Sequence, residues 1–185
     1  WHSQIWSTAP GGSPTYNPPI GANNNNFVIN VNITVIHQPG TSSTVSGTVE
    51  VFGRLEVGGN RTLRVNNNVT IRGGGIIHSH NGILEVNTPG TLLIEDNAIL
   101  EALTGGFVQG TAVTGCFGHI NWLGGTFSTA GAKNLNTDGT MDWHTGTVSG
   151  GALNVNSGAV LVLKQTATDD PEQISGCGYS RILGT

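Results

Sequence analysis

The sequence predicts an all-β fold, a single-stranded parallel β-helix (β-solenoid) of roughly six to seven stacked coils with an extended N-terminal arm. Three observations predict it. The composition is rich in glycine, asparagine and threonine, apolar and polar residues alternate at period two, and a sequence pattern recurs after about 21 residues. That period suits a coil of three short strands and three turns, stacked on similar coils.

Composition excludes several classes of protein. Of the 185 residues, 29 are glycine, 22 are threonine and 19 are asparagine, and only 10% are Asp, Glu, Lys or Arg. Because these abundant residues form helices poorly, a long-helix protein is excluded. Seven Lys and Arg residues and a net charge of −4 provide no basic surface, so we expect no nucleic-acid partner. No apolar run approaches the roughly 18 residues of a membrane span, so none is expected.

The chain divides into three predicted segments, of which residues 1–26 form an extended arm or cap. Pro, Gly and Asn dominate this segment and disfavour helix and central strand. Its apolar residues Trp1, Ile5 and Trp6 need a surface to cover. We expect the arm either to cap the first coil of its own chain or to cross to the next subunit, which makes these three residues candidates for a subunit interface.

Residues 27–165 form the predicted solenoid. Phe27 to Ile36 alternates without interruption and is expected to be one long strand. Gly and Asn between the later runs supply the positive φ that tight corners need. Inward Val, Ile and Leu fill a narrow core, and uncharged Asn and Thr stack on the outer faces, where stacked like charges would repel. The shorter strands are expected at Val49–Val51, Leu55–Val57, Leu63–Val65, Val69–Ile71 and Leu84–Val86.

The repeat is clearest in the second half of the solenoid. Ile120–Ser128 aligns with Met141–Ser149 through the pattern apolar, polar, Trp, two residues, Gly, Thr, apolar, Ser, at an offset of 21 residues. Leu100–Val108 lies one coil earlier and Val160–Leu163 one coil later. At about 4.8 Å per coil, the rod is expected to be roughly 30 Å long.

Residues 166–185 form a predicted capping tail, which contains the second of two cysteines. We expect a disulfide between Cys116 and Cys177 that holds the tail to the solenoid, with two buried thiols as the alternative. A disulfide would indicate an oxidising, extracellular compartment. A zinc site would need further Cys or His at close spacing, and neither cysteine has such neighbours.

Candidate catalytic and metal-ligating residues are few. His78 and His80 lie on one face of a strand and could begin a metal site, but no acid is close in sequence, which favours an ordinary outward position in the stack. Asp169–Asp170 is similar to the paired carboxylates of glycosidases, but it follows the end of the repeat and is expected to be a solvated loop. The lysines Lys133 and Lys164 complete no acid–base cluster. We therefore predict no catalytic residue, no metal and no cofactor.

Trp122 and Trp143 lie one coil apart and are expected to stack on each other. An exposed pair would form a platform for surface glycans. A pair that packs in the core, or beneath a neighbouring subunit, is the alternative.

Several stretches resemble a known class of proteins. They are Trp6–Gly12, Val28–Val31, Gly47–Val57 and Trp143–Val155. Each is similar to the secreted parallel β-helix repeats of bacterial surface proteins, a class that includes adhesin-like and fibre-forming proteins. The resemblance covers about Trp6 to Leu163 and is specific for architecture rather than activity. Because the chain begins with Trp1, we expect either secretion after leader removal or excision from a longer protein.

These observations together predict a structural, non-enzymatic protein of the cell surface or extracellular space. Open solenoid ends expose backbone groups that template further strands, so we expect head-to-tail self-assembly into a filament, fibre or adhesin-like stalk. One alternative is a carbohydrate-binding or polysaccharide-active module that uses Trp122, Trp143 and scattered acids. Another is a passive spacer within a longer surface protein.

Overall fold

The computed structural model describes residues 26–37, 42–103 and 105–163 of the chain. Over these ranges the protein is an all-β parallel β-solenoid of about six coils of about 21 residues, as predicted, and it contains no helix. Each strand has three or four residues, since the chain must turn a corner after every strand. The strands are β1 (Phe27–Ile29), β2 (Thr34–His37), β3 (Ser43–Val45), β4 (Val49–Val51), β5 (Arg54–Val57), β6 (Thr62–Val65), β7 (Val69–Ile71), β8 (Ile76–Ser79), β9 (Ile83–Val86), β10 (Thr91–Ile94), β11 (Ile99–Ala102), β12 (Phe107–Gly110), β13 (Val113–Cys116), β14 (His119–Trp122), β15 (Thr126–Thr129), β16 (Lys133–Leu135), β17 (Thr140–Trp143), β18 (Thr147–Gly150), β19 (Leu153–Val155) and β20 (Val160–Leu163).

The strands form three parallel sheets, because each coil contributes one strand to each sheet. Sheet 1 has the order β1-β4-β7-β10-β13-β16-β19, sheet 2 the order β2-β5-β8-β11-β14-β17-β20, and sheet 3 the order β3-β6-β9-β12-β15-β18. Every pairing is parallel, so each strand lies directly on the equivalent strand of the coil before it.

The register agrees with the repeat in the sequence. Ile120 pairs with Met141, and Trp122 pairs with Trp143. Side-chain amides stack in the same register, since Asn154 Nδ2 donates to Asn134 Oδ1 at 2.8 Å. The predicted stacking of asparagines on the outer face is therefore confirmed at this position.

The prediction of one long strand from Phe27 to Ile36 is wrong. The structure has two strands, β1 and β2, separated by a corner at residues 30–33. Asn32 adopts a φ of 64° there, and Ile33 N donates to Asn30 O at 3.1 Å. Alternation alone concealed the corner, because Asn adopts left-handed backbone at low cost and does not interrupt the apolar–polar pattern.

The core is a narrow column that runs the length of the solenoid. Strands show alternating burial, with every second side chain directed inward. In sheet 2 one inward row consists of fully or nearly fully buried aliphatic side chains and one methionine. These residues are Val35, Leu55, Ile77, Leu100, Ile120, Met141 and Leu161.

Several charged residues on the outer faces are paired between coils, which corrects the expectation of uncharged outer stacks. Arg64 pairs in register with Glu85 of the next coil, and its Nε donates to Glu85 Oε1 at 2.7 Å. Arg72 lies between Glu50, at 2.9 Å, and Glu95 of the following coil. Opposite charges on neighbouring coils therefore replace the like-charge repulsion that stacking would otherwise cause.

Candidate functional site

The two ends of the solenoid form the candidate functional site. Among the described residues, β1, β2 and β3 are the terminal strands of the three sheets at one end, and β18, β19 and β20 are the terminal strands at the other. The last strand of a parallel sheet directs a row of backbone N–H and C=O groups away from its sheet, and such a row can pair with a further strand. The ends therefore have the geometry that strand addition requires.

Exposed apolar side chains occur at both ends. In the first coil Val31 is 63% exposed and Ile36 is 43% exposed. In the last strand, exposure is 38% for Val160, 37% for Val162 and 41% for Leu163. Apolar groups exposed together favour burial against another surface, because removing them from water is favourable.

Charge is absent from the end coils of the described chain. Residues 26–37, 42–48 and 143–163 contain no Asp, Glu, Lys or Arg. The first charged residue in the described part is Glu50 and the last is Asp142. Since burying an unpaired charge is costly, both ends can be covered without the desolvation penalty that the charged residues between 50 and 101 would impose.

Trp122 and Trp143 lie in the core. They pair in register as predicted, and both are 0% exposed. The Trp122 ring also stacks on Phe127, with centroids 5.1 Å apart. The prediction that Trp122 and Trp143 form a glycan platform or a subunit contact is therefore wrong. The alternative prediction, that the pair packs in the core, agrees with the structure. The sequence indicated that Trp122 is buried, because it lies two residues after the inward Ile120 and therefore on the same face of the strand.

His78 and His80 share a face, with ring centroids 5.0 Å apart. The register places Glu56 and Glu101 on either side of His78, and Glu101 Oε2 is 3.8 Å from His78 Nε2. Arg54 Nη2 donates to His78 Nδ1 at 2.6 Å, and burial lowers the pKa of His78. Over the described ranges, no group of three or more His, Cys, Asp or Glu is arranged to hold a metal ion.

Cys116 is a buried thiol at the inward end of β13. Its Sγ lies 3.4 Å from the carbonyl oxygen of Gly118, and burial raises its pKa to about 12. The thiolate is therefore disfavoured at neutral pH. Cys177 lies outside the described residues, so the disulfide stays a prediction.

Other predicted residues also fall outside the described ranges. They are Trp1, Ile5 and Trp6 of the arm, Asp169–Asp170 and Lys164. The arm at 1–26, apart from Asn26, and the tail at 166–185 are outside as well. Their roles stay predictions.

Sequence reasoning did not identify Lys133 as a core residue. Lys133 pairs in register with the inward Leu153 and is only 1% exposed. Its Nζ donates to the carbonyl oxygens of Thr129 and Gly151, both at 3.0 Å. The repeat indicated this inward position, because the alignment of Asn134 with Asn154 also aligns Lys133 with Leu153.

Comparisons with family models, curated proteins and solved structures found no match to this chain. No helix in the described residues is long and apolar enough to cross a membrane. The parallel β-solenoid itself is therefore what the structure establishes.

Proposed function

We propose that the protein is a structural, non-enzymatic subunit that assembles head to tail into a filament, fibre or adhesin-like stalk. The observation that carries the proposal is that both described ends combine terminal strand edges with exposed apolar side chains and no charge. The paired charges of the rod lie within residues 50–101, away from both ends. In a filament the end face of each subunit is buried against the next subunit, so it must be apolar and free of unpaired charge.

The register of the solenoid extends naturally into a second copy of the chain. If β20 pairs with β2 of the next subunit as β17 pairs with β20, Leu161 lies over Val35 and Val162 lies over Ile36. Both contacts join apolar side chains, one pair in the core and one on the outer face. Because the two contacting surfaces differ, the contact is heterologous and propagates without closing.

The charged residues of the rod also support a structural role. Glu50, Glu85 and Glu95 each form an ion pair with an arginine of a neighbouring coil. Arg64 and Glu85 hold each other so closely that the pKa of Glu85 falls to about 2, with the Arg64 hydrogen bond as the main cause. Carboxylates held in this way stabilise stacking, and a general acid would need the opposite shift.

The location at the cell surface and secretion after leader removal remain part of the proposal. They rest on the resemblance to secreted bacterial β-helix repeats and on the predicted disulfide between Cys116 and Cys177. A role as a spacer within a longer surface protein fits the same rod.

Assembly is tested by placing a charge at one end. Leu163→Lys puts an ammonium in the inward row above Trp143, where His37 of the next subunit would cover it, so we expect filaments to be lost and sedimentation velocity to show monomers. Val113→Lys is the matched control, because Val113 is 43% exposed but lies on β13 in the middle of the rod. We expect this control to assemble as the unmodified chain does.

The proposal fails if the unmodified chain is monomeric at all concentrations, or if both lysine variants assemble equally well. Circular dichroism of each variant checks that the solenoid is intact. Because Leu163 and Val113 are both already partly exposed, a lysine at either position should change the free energy of unfolding by no more than about 1 kcal/mol.

A further inference from the structure

A cleft in the side of the rod, distinct from both ends, has the features of a ligand site. It has a volume of about 600 Å³ and lies at the corner between sheets 1 and 2. Phe117, Asp96, Asn97, His119 and Asp138 are among its lining residues. The proposed assembly does not use this surface.

The cleft exists because one corner is shorter than its neighbours. Two residues, Phe117 and Gly118, connect β13 to β14. Four residues, 95–98, make the equivalent corner in the coil before, and four residues, 136–139, make it in the coil after. The short corner is thus recessed between two longer ones, which are two coil spacings, or about 10 Å, apart. This width suits a single extended chain of sugar rings.

The lining combines an aromatic surface with polar groups. Phe117 is 41% exposed, and an aromatic ring face attracts the weakly positive C–H groups on one face of a pyranose. Asp96, Asn97 and Asp138 carry oxygens or amides that can bind sugar hydroxyls. His119 Nδ1 and Thr140 Oγ1 are already 2.6 Å apart, which fixes the imidazole on the cleft wall. An apolar platform with a few convergent polar groups is typical of small-molecule sites.

A second cavity adjoins the cleft at Phe117. It has a volume of about 370 Å³ and shares Phe117 and Asp96 with the first, and Leu93 and Glu95 are among its other lining residues. Two cavities that share one aromatic ring offer places for neighbouring sugar units of one chain. A ligand longer than a monosaccharide is therefore favoured.

Charge selects among saccharides. Neither Asp96 nor Asp138 forms an ion pair within the described residues, and Glu95, which lines the second cavity, is neutralised by its ion pair with Arg72. The cleft is consequently negative, which repels uronates and sulfated sugars. An amino sugar would place its ammonium near these carboxylates and near the Phe117 ring, where cation–π attraction adds to the ion pair.

We propose that the Phe117 cleft binds a short chain of neutral or amino-substituted pyranoses. The binding needs no catalytic group. It gives an assembled rod a ligand site on every subunit, and it does not depend on assembly.

The test measures binding of three tetrasaccharides to the whole chain by isothermal titration calorimetry. The probes are cellotetraose, which is neutral, the glucosamine tetramer, which is cationic, and tetragalacturonate, which is anionic. We expect the first two to bind and the third not to bind. Phe117→Ala should weaken both interactions at least tenfold. The matched control is Phe107→Ala, because Phe107 is 38% exposed but lies on β12 in sheet 3, away from the cleft.

Asp138→Asn separates the charge from the shape. Asp138 has a φ of 66°, a left-handed conformation that Asn adopts readily, so the corner should keep its form. This variant should bind the glucosamine tetramer severalfold more weakly and cellotetraose nearly unchanged. The proposal is overturned if neither cellotetraose nor the glucosamine tetramer binds at millimolar concentration. It is also overturned if tetragalacturonate binds equally well, or if Phe117→Ala and Phe107→Ala behave alike.

Discussion

Among single residues, Lys133 departs furthest from the pattern of the chain. It occupies an inward position that an aliphatic side chain occupies in the next coil, and two backbone carbonyls accept hydrogen bonds from its ammonium. Its Nζ also lies 5.6 Å from the centroid of Phe127, near enough for cation–π attraction. The ammonium of Lys133 is therefore stabilised in the core by these carbonyl and aromatic contacts.

Burial lowers the pKa of Lys133 from 10.5 to about 8, and this shift predicts how stability depends on pH. Between these two values Lys133 binds more protons in the unfolded chain than in the folded one, so its contribution to stability should rise as pH increases from about 8 to 10.5. The buried Cys116 thiol, with its pKa raised from 9.0 to about 12, acts in the opposite direction above about pH 9, and the Lys133→Met reference cancels it. The contribution of Lys133 is roughly 3 kcal/mol over the full interval, and it should be absent below pH 8. Urea unfolding at pH 7 and pH 10 measures it.

Lys133→Met is the reference for that measurement, because methionine fills a similar volume without a titrating group. The difference in unfolding free energy between the two proteins should change with pH, with the unmodified chain gaining at pH 10. A difference that stays constant between pH 7 and pH 10 would show that Lys133 does not titrate in this range.

At the scale of the element, the corners decide where the surface of the rod departs from regularity. Corners of four residues and corners of two residues connect the same pairs of sheets. Phe52–Gly53 and Phe117–Gly118 are both two-residue corners, and in each the Phe and Gly N–H groups donate to the last residue of a strand in the coil before. This close approach leaves little space for a side chain at the glycine.

Gly118 provides the test of this corner. A Cβ at this position would lie 2.2 Å from Glu95 O and 2.5 Å from Ala98 O. Both atoms belong to backbone, so neither can move away without shifting a coil. We expect Gly118→Ala to lower the free energy of unfolding by at least about 2 kcal/mol, measured by chemical denaturation.

Gly115 is the control in the same coil. A Cβ there would meet no atom closer than 3.5 Å, so Gly115→Ala should change stability by no more than about 0.5 kcal/mol. If the two alanine variants are equally stable, close backbone packing is not the reason for glycine at the short corner.

Strands were easier to predict from the sequence than corners. Alternation located Val49–Val51 and Val69–Ile71 with the bounds that the structure has. The alternation of apolar and polar residues does not indicate how many residues a corner contains. Neither the corner between β1 and β2 nor the short corner at Phe117 was therefore predicted. The cleft also depends on residues from three coils, which only the register brings together.

At the scale of the whole molecule, the offset of 21 residues predicted which strands lie on each other. It succeeded because a stacked coil requires equivalent residues at equivalent corners, as the pairing of Trp122 with Trp143 shows. It did not predict how charge is distributed along the rod. The arginine–glutamate pairs lie within residues 50–101, while residues 102–132 and both described ends carry no Asp, Glu, Lys or Arg.

The most direct test of head-to-tail assembly is the direction of the strand spacing in a filament. In aligned filaments of the unmodified chain, the account predicts a reflection at about 4.8 Å along the filament axis, since coils stack in that direction. Seven strands in sheet 1 and seven in sheet 2 predict an axial subunit repeat of about 34 Å in electron micrographs. A chain that stays monomeric, or filaments with the 4.8 Å spacing perpendicular to their axis, would contradict the account.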